Sequence, residues 1–285
     1  MSRVPMTNPS LLAREFAETG RLSSLSYIDM HTHMGPFYGT YLPQADLEAM
    51  IAAMDRENIE WVISAPHSAL FDPIGRNSEI RAAMAKYPDR IKGYFVVNPH
   101  YIESLEEELA EYDTVEGYVG FKVLPDYHKY PLTGEKFRKM YQFANERGLL
   151  LLSHTWGHSS YNPPQMIGEL ARQYPNIKFL MGHSAPGETD VAIELAKALP
   201  NVYLELCDTG RLNGMIGKMV REAGSEKVLF GTDFPLVRPE LYAGKRAVLR
   251  HRRRRHRQHH PEQRRAARVR HQGREQKHHR IGKGA

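Results

Sequence analysis

Cysteine is nearly missing. Cys207 is the one thiol in 285 residues, which excludes an intrachain disulfide framework. No apolar run is long enough to span a bilayer, so no membrane partner is expected. The first twenty residues mix Arg3, Arg14 and Glu15 with short apolar patches and do not read as a signal peptide. These absences together predict a cytoplasmic setting. No glycine-rich phosphate loop follows the first strand-like run, which weakens a nucleotide-binding doubly wound sheet. What remains is ordinary globular composition, 41% apolar and 25% charged, and it excludes wholesale disorder.

The net charge of +6 hides two unlike parts. Residues 250–285 carry 14 Lys and Arg against 2 Asp and Glu, leaving 25 basic and 31 acidic residues for residues 1–249. The body is therefore mildly acidic, and binding to nucleic acid would rest on the tail alone. The expected organisation is a folded domain over residues 1–249 followed by a basic, low-complexity and disordered tail over residues 250–285.

Within the body, apolar runs alternate with segments of helical spacing. Strands are expected at 27–33, 59–65, 91–97, 117–124, 149–154, 177–183, 202–206 and 228–233. Helices are expected at 44–58, 77–87, 103–112, 134–147, 164–174, 187–199 and 211–223. The strands are apolar throughout rather than alternating, as in a parallel sheet covered on both faces. Eight such units in this length predict an α/β fold, a (β/α)8 TIM barrel, with an open doubly wound sheet as the alternative.

Polar residues fall at the C-terminal ends of these strands, where barrel enzymes keep their active sites. They are His31 and His33 on strand 1, Lys122 on strand 4, His154 on strand 5, His183 on strand 6 and Asp233 on strand 8. Residues two apart on a strand share a face, so His31 and His33 can reach one ion. A lone His-x-His is a weak signal, and a lone histidine in an apolar strand is usually a bonded core residue. Four histidines and an aspartate at the strand ends of one barrel are harder to explain as packing. Imidazole and carboxylate donors suit Zn²⁺, Mn²⁺ or Fe²⁺. Lys122 is open to three readings: a carboxylated bridging ligand, a cation for substrate, or a lysine paired with a buried carboxylate. His158 is expected to line the pocket, His67 and His100 to be structural, and Tyr127, His128 and Tyr130 to form a loop within reach of substrate.

The segments Ile28-Asp29-Met30-His31-Thr32-His33, Gly120-Phe121-Lys122, Leu152-Ser153-His154, Met181-Gly182-His183 and Gly231-Thr232-Asp233-Phe234-Pro235 resemble the amidohydrolase superfamily, in its amidohydrolase-related branch of hydrolases and nonoxidative decarboxylases. The likeness runs from about Tyr27 to Tyr242. It implies that His31, His33 and His154 bind a divalent metal, zinc foremost, and that Asp233 binds it or takes a proton from its water. It implies that His183 ligates a second metal in two-metal members and, in one-metal members, acts as acid/base or polarises a small-molecule substrate; a protonated His183 can then stabilise the oxyanion, and by position Lys122 and His158 are expected on the substrate side. Two reactions follow from it: hydrolysis of an amide, ester or lactone carbonyl, and decarboxylation of an aromatic or enol acid. Hydrolysis is favoured, since no arginine of the body is placed to hold a carboxylate. A homo-oligomer is compatible with the sequence.

The tail departs from this pattern. A barrel needs a last helix to cover strands 8 and 1, yet the aliphatic residues after Arg250 are Ala266, Ala267, Val269, Ile281 and Ala285, with no stripe at helical spacing. Either the tail is a basic arm, on a catalytically crippled barrel that binds nucleic acid, or the gene has shifted frame. Read one base later with CGN arginine codons, residues 259–269 permit Ile-Leu-Ser-Asn-Ala-Ala-Arg-Leu, similar to the helix that ends the family. The ligand-bearing strands all precede residue 234.

Overall fold

The computed structural model describes residues 11–39, 41–71, 77–209 and 213–236. A short helix, α1 (Leu11–Thr19), precedes eight strands. These are β1 (Tyr27–Met34), β2 (Ile59–Pro66), β3 (Ile91–Val96), β4 (Tyr118–Val123), β5 (Leu150–His154), β6 (Lys178–Gly182), β7 (Val202–Glu205) and β8 (Val228–Leu229). Each pairs in parallel with the next, in sequence order. Main-chain bonds carry the circle from the last strand back to the first: Met30 N donates to Phe230 O (2.9 Å) and Asp233 N to His31 O (2.8 Å). The fold is a (β/α)8 barrel, and the open doubly wound alternative is excluded by this closure.

The apolar strands are buried on both faces, as their composition required. Met30, Ile63, Tyr94, Leu152 and Leu180 fill the barrel interior. Val62, Phe95, Phe121, Leu151 and Phe179 lie in the outer layer between strands and helices. Helices α2 (Leu47–Arg56), α4 (Ser78–Lys86), α5 (Leu105–Tyr112), α7 (Arg138–Arg147), α8 (Pro164–Gln173), α9 (Thr189–Ala198) and α10 (Met215–Glu222) follow the first seven strands in turn. Their limits are local chemistry. Asp46 caps α2 by accepting the Ala49 N–H at 2.9 Å, and Met50, Ala53 and Met54 form its buried face. Gly148 stops α7 with φ +62° and returns its N–H to Ala144 O, a conformation that costs a glycine little.

Several expectations are adjusted. The helix expected over 134–147 begins as a 3-10 turn (Glu135–Phe137) before α7. The last strand stops at Leu229 rather than at Asp233, whose φ of +64° is incompatible with a strand. The helix expected over 211–223 starts at Met215. Two short helices were not expected, α3 (His67–Phe71) and α6 (Pro125–His128); both sit directly after a strand, at the rim of the site. The division at residue 249 and the basic tail lie outside the described residues.

Candidate metal centre

His31 and His33 leave β1 on one face, as their spacing predicted, and both are buried. His33 Nδ1 donates to Ala65 O on β2 at 2.9 Å. A neutral imidazole has one N–H, so this bond leaves the Nε2 lone pair free. His31 Nδ1 faces Glu205 Oε2 on β7 at 2.9 Å, which leaves its Nε2 as the acceptor in the same way. Both Nε2 atoms stand 3.3 Å from Asp233 Oδ1. Two donors each about 2.1 Å from one tetrahedral ion are about 3.4 Å apart. The three atoms therefore have the spacing of a ligand set, and their chemistry fits a borderline divalent ion.

Asp233 is presented by strain. Its left-handed backbone turns the chain off the last strand, and Thr232 beside it is tied down by Asp29, which accepts from Thr232 Oγ1 (2.6 Å) and from the main-chain N–H groups of Thr232 and His31 (both 3.1 Å). Left-handed backbone costs a non-glycine residue roughly 1–2 kcal/mol. Burial works to raise the Asp233 carboxyl, but His31, His33 and His183 around it outweigh that and hold it well below the usual carboxylate range. Lys122 is fully buried, and its Nζ donates to His31 Nε2 at 2.8 Å. Burial pushes this amine down to about 8, against the pull of Asp233 and Glu205. The ammonium and a metal ion would compete for the same lone pair.

His154 and His183 form a second pair, with His183 Nε2 3.1 Å from His154 Nδ1. His154 does not join the close group of His31, His33 and Asp233; its Nε2 lies 3.9 Å from Asp126 Oδ2 and its ring stacks on Trp156. Beyond Gly182 the residues His183, Ser184 and Ala185 are all left-handed. This turn swings His183 over the barrel mouth, where its ring centroid is 5.3 Å from that of His31. Burial, with His31 and Lys122, pushes His183 down to about 3, although Asp233 pulls the other way. At neutral pH its ring is uncharged, so the protonated form expected from the sequence is not the resting form.

Two residues here were missed in the sequence. Glu205, at the end of β7, is fully buried; burial raises its carboxyl, while the main-chain N–H groups of Cys207 and His183 and the Lys122 ammonium favour its charged form. Cys207 lies two residues on, with Sγ 3.2 Å from His183 Nδ1. A lone carboxylate closing the apolar run Val202-Tyr203-Leu204 is the same signal that singled out Lys122, and it could have found Glu205.

His158, expected to line the pocket, has a side chain 76% exposed and turned toward Glu188. A left-handed backbone (φ +62°) and a bond from its N–H to Glu188 Oε2 (3.0 Å) set it on the loop surface. His67 stacks on His33 with ring centroids 4.9 Å apart, and its Nδ1 bonds Gly35 O. His128 is also structural, bonding Leu70 O, and the Tyr130 hydroxyl accepts the Lys136 N–H. Tyr127 does reach the mouth, 5.5 Å from the His154 ring. Aromatic rings continue outward from the cluster: Phe37 beside His67, then Phe71 and Tyr127, with Trp156 on the far side of His154.

The amidohydrolase family model matches residues 28–269, from within β1 into the basic segment. No curated protein matches the chain. Several solved structures share the fold. A 2,6-dihydroxybenzoate decarboxylase complexed with 2,6-dihydroxybenzoate is 14% identical over 77% of this chain and 90% of its own, with a TM-score of 0.59. A manganese-containing 5-carboxyvanillate decarboxylase from Novosphingobium aromaticivorans is 17% identical over 78% and 92%, with a TM-score of 0.56. A probable 2-pyrone-4,6-dicarboxylic acid hydrolase from Acinetobacter baumannii, with citric acid bound, is 18% identical over 78% and 91%, also at 0.56. These relatives are named as enzymes, two of them decarboxylases and one a hydrolase. The family match covers most of the chain, and the protein belongs to the amidohydrolase family.

Proposed function

We propose that this protein is a metal-dependent hydrolase acting on the amide, ester or lactone carbonyl of a small molecule. The observation that carries this reading is that His31 Nε2 and His33 Nε2 each stand 3.3 Å from Asp233 Oδ1, close to the edge of a tetrahedral ligand set. In this reading His154, which pairs with His183 and lies outside the close group of three, would turn its ring toward the ion to serve as the fourth donor. Zinc suits four such donors best, with Mn²⁺ or Fe²⁺ as substitutes. A single buried free thiol suits a reducing cytoplasm.

A divalent ion held there supplies an electrophile and a water whose pKa falls from about 15.7 to about 7. The protein's residues do the rest. Asp233, ionised and partly open to the mouth, takes the proton of the attacking water through its carboxylate. Neutral His183 and the Lys122 ammonium, released from His31, meet the carbonyl oxygen as it gains charge.

One observation favours the second reading, decarboxylation of an aromatic acid: the wall of Phe37, Phe71, Tyr127 and Trp156 suits a flat ring. The test is a parallel screen of the zinc- and manganese-loaded protein. Lactones, esters and amides are followed by acid release and aromatic acids by CO₂ release. Acid release alone is the expected result; CO₂ release alone would replace the first reading by the second.

A further inference from the structure

Glu205 stands where three elements meet, and three nitrogens converge on it. His31 Nδ1 (2.9 Å) and the main-chain N–H of His183 (3.2 Å) reach Oε2, and the main-chain N–H of Cys207 (2.6 Å) reaches Oε1. Two of these donors belong to the backbone and are fixed by β6 and β7. The carboxylate is therefore rigid, and the partner it can organise is the His31 ring. If Nδ1 carries the proton, Nε2 carries the lone pair. The other side of the ring agrees, because the Lys122 ammonium has no lone pair to offer and faces Nε2 at 2.8 Å. Both neighbours require the same tautomer.

The two main-chain N–H donors and the Lys122 ammonium favour the ionised form of Glu205 against the effect of burial, and an amide would turn its NH₂ toward at least one of the three incoming groups. Glu205 also needs room. A Cβ on Gly231 would lie 2.1 Å from Glu205 Oε1 and 2.7 Å from His31 Cβ. Glu205, at the end of β7, and Gly231, two residues beyond β8, are thus a matched pair, and this gives the glycine of Gly231-Thr232-Asp233 its physical reason.

We infer that Glu205 is a positioning residue that holds His31 as the Nδ1–H tautomer and so aims Nε2 at the divalent ion, with Gly231 supplying the space. The inference rests on the metal reading above. Carboxylates bonded to metal-binding histidines typically account for about 10- to 100-fold in metal affinity.

The test uses the full chain, ¹⁵N-labelled, as wild type, Glu205→Gln and Gly231→Ala, each checked for folding by circular dichroism. Long-range ¹H–¹⁵N spectra of the metal-stripped protein read the His31 tautomer, and competition titration with zinc reads affinity. The expected result is an unprotonated Nε2 in the wild type, with zinc binding about 10- to 100-fold weaker in both variants. A wild-type His31 protonated at Nε2, or a folded Glu205→Gln protein binding zinc as tightly as wild type, would overturn the inference. If neither variant folds, the wild-type tautomer decides. A wild type that binds no zinc yet shows the Nδ1–H tautomer would overturn the metal reading and leave Glu205's hold on His31 standing.

Discussion

Asp233 is asked to do two things, to hold an ion and to take a proton. Asp233→Asn removes the charge and the base while keeping the shape. Turnover on any substrate found is expected to fall by about 10²- to 10⁴-fold, read as kcat at saturating metal; a loss below threefold would remove Asp233 from the chemistry. Lys122 gives a sharper test, because its possible roles differ in sign. Its ammonium occupies His31 Nε2, and a hydrogen bond involving a charged group is worth about 1.5–3 kcal/mol. Lys122→Met should therefore tighten zinc binding roughly tenfold or more, whereas a carboxylated, bridging lysine would make the same change weaken it. At this scale the sequence was legible wherever a polar residue interrupted an apolar strand at its C-terminal end: His31, His33, Lys122, His183 and Asp233 are all gathered at the mouth. His158 was misread because it lies in a loop, where direction is set by a left-handed residue and a partner 30 positions away. Glu205, at the end of β7, carried the same signal as Lys122 but was passed over, and Cys207, two residues beyond it, gains its meaning only once the fold brings His183 beside it.

Elements were legible in proportion to their length. The eight strands and the longer helices announce themselves by apolar runs and by breakers such as Pro66, Pro88 and Gly148. Helices α3 and α6 are four to five residues long and too short to show a period. They carry His67 and Tyr127, so the rim of the pocket was the part least readable in advance. The end of the last strand was overrun because the apolar run continues through Phe230 while the backbone has begun to turn toward Asp233. The capping account can be checked directly: Asp46→Ala removes the acceptor for the Ala49 N–H and should lower unfolding stability by about 1 kcal/mol. Chemical denaturation of the two proteins measures it, and an unchanged midpoint would show that the cap is not stabilising α2.

For the whole molecule, buried histidines set the response to acid. Burial lowers His67 to about 4 and also lowers His128, both from 6.5. With folded values below the unfolded one, the unfolded chain takes up protons first as pH falls, so stability is lost from about pH 6.5 downward. Ligand histidines act in the same direction, since they must be unprotonated to bind. The melting temperature should fall between pH 6.5 and pH 4, the histidines outweighing Asp29 and Glu205, whose burial-raised carboxyls act with the opposite sign; a flat profile would contradict that balance. Among the described residues no helix is long and apolar enough to cross a membrane. The barrel was legible at this scale because eight apolar strands leave few architectures that cover both faces of a parallel sheet. The basic composition of residues 250–285 gave no such pattern to read.

The most direct test of the account is the metal content of the purified, monodisperse protein beside His31→Ala and Asp233→Asn, measured by elemental analysis after loading with zinc and removal of excess. About one equivalent or more of tightly held metal is expected in the wild type, with a clear loss in both variants. A folded wild type that retains no metal, or variants that retain as much as the wild type, would contradict it.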